Sequence, residues 1–252
     1  MKQIAITMDS TSVSAYNSSG IRLIIWKSVG NSDAATEPLI WSVLPAISPT
    51  MYVSYTSTRI SAYTSMSADV QPGTVIQPAF SAPVAIGQIL VLSKSGGGSG
   101  DVQGGGPAGA VSVQNSTGTE YLCGLMPAQG SNDLAPYCAV PIYGAGQESL
   151  YPVDKVLLGF SSAALKPGEF VQSLDSFVPI TSRSNTNASV GTSMLLIDLT
   201  SADTRSVSYD MNTGWSWGKN AWGMTYSSDT KLATILIEGD CGLAGTKADV
   251  VG

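Results

Sequence analysis

Apolar residues in this chain recur at every second position, in short β-branched runs closed by Gly, Pro, Asn or Ser, and scarcely ever at the spacing of a helix. Ile4-Ala5-Ile6-Thr7-Met8, the run from Ile21 to Trp26, Met51 to Thr56, Gln88 to Leu92 and Gly109 to Val113 all have this form. The series continues through Val153 to Phe160, Met194 to Leu199, Arg205 to Asp210 and Leu232 to Glu238. Strands at this spacing with few helical windows between them predict an all-β fold, an antiparallel β-sandwich with few or no helices. Residues 60–67 are the one stretch where a short helix competes with a strand. No Pro- or Ser-rich linker divides the chain, so residues 1–252 read as a single domain.

Composition narrows what such a fold can do. Hydrophobic residues make up 43% and charged residues only 12%, so a sizeable core is available and the surface is polar mainly through hydroxyls and amides. With 12 basic residues and a net charge of −6, the chain lacks the Lys and Arg clusters that grip a phosphate backbone, and nucleic acid is not an expected partner. The opening residues reach Asp9 without an uninterrupted apolar run, and no stretch is apolar enough for a membrane-spanning helix. A cytoplasmic protein, or one secreted without a signal peptide, is the expectation.

No histidine occurs anywhere in the chain. The commonest general base, the usual metal ligand and every His-dependent triad are therefore absent, and no serine has an imidazole to activate it. Cys123, Cys138 and Cys241 match no zinc spacing and read as buried thiols, with a Cys123–Cys138 bridge as the alternative. Asp198, Asp203 and Asp210 are close enough to suggest calcium but lack the spaced oxygens of a known loop, and read as hairpin acids. No catalytic residue, metal site or cofactor is predicted. Asn17, Asn115 and Asn187 head glycosylation sequons that matter only in a secreted chain. The glycine-rich segment 93–109 leads into a strand rather than a helix, so it is not a phosphate-binding loop and reads as a mobile hairpin loop.

Residues 212–223 hold three of the five tryptophans, set among glycines and amides. Trp215 and Trp217 alternate, so on a strand their rings share a face, and Trp222 returns across a turn containing Asn220. Exposed, each ring would leave on the order of 200 Å² of largely apolar surface in water, which folding alone would not retain. A stacking or insertion platform for a ligand is one reading; three core residues under glycine turns is the other.

The order of Gly87 to Leu92, a glycine-bearing loop, Ala108 to Val113, the turn Asn115 to Thr119 and Cys138-Ala139-Val140-Pro141-Ile142-Tyr143-Gly144 resembles the central strands of actinoporin-like cytolysins. Asn212 to Trp215 with Met224 to Ile237 likewise resembles the closing hairpin of these proteins and of some mushroom cytolysins. The resemblance implies a β-sandwich that adsorbs to head groups through aromatics and a phosphocholine or sugar pocket, with Val140, Pro141 and Tyr143 at that pocket. The family's detachable N-terminal amphipathic helix has no counterpart in residues 1–26, which read as strand, and its Arg-Gly-Asp-like segment and tyrosine run are missing. Related fruit-body lectins bind glycans on a similar sandwich without making a pore. The expected function is therefore a lectin or a membrane-adsorbing defence protein that takes a glycan or phospholipid head group, able to form homo-oligomers. A capsid- or spike-like structural domain, with the tryptophans at a subunit interface, is the competing class, and an enzyme with an unrecognised site is a third.

Overall fold

The computed structural model describes residues 1–31, 33, 35–67, 70–93, 98–128, 135–174, 193–218 and 220–239. Among them, strands dominate and pair into three sheets. The four-stranded sheet runs β16 (Gly214–Ser216), β15 (Thr204–Asp210), β1 (Lys2–Met8), β5 (Thr50–Tyr55). The five-stranded sheet runs β3 (Glu37–Pro38), β12 (Cys138–Ile142), β11 (Tyr121–Pro127), β6 (Ile60–Ser65), β7 (Phe80–Pro83). The nine-stranded sheet runs β17 (Gly223–Ser227), β14 (Ser193–Asp198), β13 (Gln147–Ser161), β10 (Val111–Asn115), β8 (Gln88–Leu92), β9 (Asp101–Gly104). From it β2 (Arg22–Gly30) branches, pairing with β13, β4 (Ile40–Leu44) and β18 (Ile237–Glu238).

Most pairs are antiparallel; β1 with β15, β8 with β10 and β18 with β2 are parallel. The period of two sorts side chains cleanly. On β2, Leu23, Ile25 and Val29 enter the main core between the sheets, whereas Ile24 and Trp26 face a second core with Leu165, Val171 and Leu174. This all-β, sandwich-like arrangement is the one that the alternation predicts.

Several local expectations are decided or corrected. Residues 60–67 hold the strand β6, its odd and even positions both buried, with Ala62 in the main core and Tyr63 in a third cluster around Phe170. Leu232 to Glu238 is mainly the helix α2 (Leu232–Leu236), because Leu232, Ile235 and Leu236 at helical spacing all close the second core. The N-terminal stretch is not all strand: α1 (Ser10–Ser18) follows β1, its amides at Thr11 and Ser12 capped by the Asp9 carboxylate at 2.8 and 3.0 Å. The glycine-rich segment contains the edge strand β9, paired with β8. Cys123 and Cys138 are buried free thiols and form no bridge; Cys241 and Asn187 lie outside the described residues. Asn17 and Asn115 serve as structural clips. Asn17 exchanges two hydrogen bonds with the Ile47 backbone, and Asn115 donates to the carbonyls of Thr119, Ile142 and Tyr143.

Candidate functional site

The tryptophan-rich segment divides between two sheets. β16 ends at Ser216, and β17 pairs with β14 rather than returning along β16, so the segment is a bridge and not a hairpin. Trp215 is only 7% exposed. Its ring stacks on Phe160 at 5.3 Å, meets Tyr209 edge-on at 4.8 Å, and its Nε1 donates to the Ser193 carbonyl at 3.0 Å. Trp215 is thus a core residue, the second of the two readings of this cluster, and shares no exposed platform with Trp217. Trp217 is half-buried and folds over Gly223, where an added Cβ would lie 2.6 Å from the indole; its Nε1 donates to the Asn220 carbonyl. Asn220 returns a bond from Nδ2 to the Trp217 carbonyl and so holds the turn. Trp222, also half-buried, lies under the Arg205 guanidinium at 4.9 Å.

The residues carried over from the cytolysin resemblance sit on the five-stranded sheet. Val140 is fully buried on β12 and has no surface to offer a ligand, Pro141 is half-buried, and Tyr143 is 63% exposed just beyond the strand. The sequence-predicted residues therefore fall into two groups on different sheets. Asp198 and Asp210 each accept backbone amides of their own turns, and Asp203 pairs with Lys2 at 3.3 Å.

A different place gathers polar chemistry. Where the three sheets meet, Lys27 of β2, Trp41 of β4, Tyr55 of β5, the turn Thr56 to Arg59, Met126 to Ala128 and Tyr137 enclose a cavity of about 340 Å³. Two irregularities build it. Between Ile25 and Trp26 the pairing of β2 with β4 slips by one residue, leaving Trp41 as the extra one. Between Pro152 and Val156 the pairing of β13 with β2 also shifts, and this frees the Val153 carbonyl. Lys27 occupies the core-facing phase of β2, so its ammonium must be satisfied inside. It donates to that Val153 carbonyl at 2.6 Å and to Asp154 Oδ1 at 3.5 Å, and lies 4.4 Å from the Tyr55 ring centroid and about 6 Å from those of Trp41 and Tyr137.

Burial lowers the Lys27 pKa to about 8 against the opposing pull of Asp154. The Asp154 carboxylate also lies 3.7 Å from Lys2 and accepts the Tyr55 hydroxyl at 3.2 Å. Trp41 Nε1 and the Tyr137 hydroxyl are buried with no hydrogen-bond partner among the described residues. No family model, curated protein or solved structure matches this chain. The fold and site accordingly rest on their own geometry. Sequence reasoning missed Lys27, Trp41, Tyr55, Arg59 and Tyr137; the available signal was a lysine breaking the apolar run Leu23 to Val29 at an inward-facing position.

Proposed function

We propose that this chain is a recognition protein that holds a small hydroxyl-rich ligand, a sugar or a lipid head group, in the cavity beside Lys27. The observation that carries the reading is the wall itself: three aromatic rings, two of them bearing a buried polar atom without a partner, beside hydroxyl groups at Ser54, Thr56 and Ser57. Leaving such an atom unpaired costs roughly 1–3 kcal/mol, which a ligand atom would offset once a small side-chain shift opens the buried group to the cavity. A volume of about 340 Å³ falls within the range of small-molecule sites, and aromatic walls with a few convergent polar groups are their usual lining. The rings are almost wholly buried and form the apolar floor, so a sugar would meet their edges, while the hydroxyl-rich rim suits its hydroxyls.

The test is a glycan array together with vesicle sedimentation, run on the wild-type protein and on Ser57→Trp, which fills the mouth of the cavity. Binding in the wild type that is lost in Ser57→Trp at an unchanged melting temperature supports the reading. Binding that survives the blocked mouth but is lost in Tyr143→Ala would move the site to the exposed end of β12.

A further inference from the structure

We infer that the group this cavity takes against Lys27 and Arg59 is an oxyanion carried on a sugar-sized ring, and not a choline-type cation; the inference rests on reading the cavity as a ligand site. The aromatic walls already hold a cation of the chain's own. Lys27 Nζ sits 4.4 Å from the Tyr55 centroid, with Trp41 and Tyr137 at 6.0 and 5.9 Å. A quaternary ammonium seated on the same rings would meet like charge at close range.

The rest of the lining has the same sign. Among the described residues that line it, Lys27 and Arg59 are the only ionisable side chains other than the tyrosines, and none carries a carboxylate. Asp154 is shared: it faces Lys27, Lys2 and the Tyr55 hydroxyl, while Lys2 also faces Asp203. Lys2, Lys27 and Arg59 set against Asp154 and Asp203 leave one positive charge over, and Arg59 makes no ion pair among the described residues. Lys27 spends two of its three protons on Val153 and Asp154. The Trp41 N–H and the Tyr137 O–H are donors without an acceptor among the described residues. Donors in excess beside a net positive charge select an anion, and aromatic walls favour one attached to a ring.

Such an oxyanion could be supplied by an acidic sugar or by a phosphorylated inositol head group. Isothermal titration should compare galacturonate with galactose, glucuronate with glucose, and inositol monophosphate with inositol, with choline as the cationic alternative. At least one anion is expected to bind about tenfold or more tighter than its neutral parent, the margin of one charge-assisted hydrogen bond. Which anion does so identifies the source. The margin should disappear in Arg59→Gln, a variant at the exposed mouth that leaves the core untouched. It should also shrink as pH rises from about 7 to 9, because Lys27 loses its proton near 8, whereas burial keeps the Tyr55 and Tyr137 phenols protonated throughout. Neutral parents binding as tightly as the anions, or choline binding best, would overturn the anion and leave the cavity as a ligand site. No binding by any of the seven would overturn both.

Discussion

At the scale of the residue, Lys27 is the most exposed to test, because its burial ties stability to pH with a definite sign. Its pKa is lowered from 10.5 to about 8, so between those values the unfolded chain holds a proton that the native chain has lost. The Lys27 contribution to stability therefore rises with pH across that window and is flat below it. Urea unfolding at a series of pH values should show the wild type gaining on the order of 2–3 kcal/mol relative to Lys27→Met between pH 8 and 10.5, a difference in which the opposing contribution of the buried tyrosines and thiols, common to both proteins, cancels. Equal slopes in the two would mean that the ammonium is better solvated than its surroundings imply. The tryptophans separate in the same way. Trp215→Ala empties a ring from the Phe160–Tyr209 stack and should cost about 3–5 kcal/mol in thermal or chemical unfolding, while Tyr143→Ala, on an exposed corner, should stay within about 0.5 kcal/mol. The candidate site was hardly legible in the sequence, for a physical reason. Trp215, Trp217 and Trp222 are close along the chain and so look like a platform, but their strands enter different sheets. Lys27, Trp41, Tyr55 and Tyr137 are far apart along the chain, and only two register shifts and the meeting of three sheets bring them together.

At the scale of the element, β11 carries a contact that no side chain at its middle could permit. Tyr63 on β6 reaches past Gly124 to donate to the Cys138 carbonyl on the far side at 2.7 Å. A Cβ at Gly124 would lie 2.0 Å from that carbonyl oxygen and 2.7 Å from the tyrosine ring. Gly124→Ala should therefore destabilise by about 3 kcal/mol or more, since backbone and a fully buried ring must both move. Pairing it with Tyr63→Leu, which removes the obstructing phenol, should recover part of the loss; a strictly additive double mutant would show that the ring is not the obstacle. Gly124 also illustrates which strands the sequence revealed. The runs that alternate, such as β1, β5 and β15, were readable because one of their faces is wetter than the other. β4, β6 and β11 are buried at successive positions and carry serine, threonine and glycine inside, so their pattern has neither alternation nor a continuous apolar run. Segment 232–238 failed in the opposite sense: its apolar residues suit a strand, but the second core offers a helix-sized space beneath β2.

At the scale of the whole molecule, the N-terminal segment is built into the fold and is not an appendage. β1 lies between β15 and β5, Tyr16 of α1 shares a hydroxyl contact of 2.5 Å with Tyr209, and Asn17 is clipped to Ile47. Removing residues 1–18 should abolish a cooperative melting transition by circular dichroism. The intact protein should leave dye-loaded vesicles sealed, since α1 cannot swing free without opening the four-stranded sheet. Dye release that depends on residues 1–18 would show that this sheet opens at a lipid surface. The parallel pairing of Ile4 with Arg205 and of Ile6 with Val207 has a further consequence, one that concerns time. These partners are about 200 residues apart, and a ribosome adding roughly 5–20 residues per second needs on the order of 10–40 s to make the second after the first. During that interval β5 is available to one edge of β1 while the other edge, with Ile4 and Ile6 beside it, has no β15 to meet. Any nonsense change before codon 204 makes that condition permanent, so truncated products should collect in inclusion bodies, and slowed translation should worsen the recovery of the full-length chain.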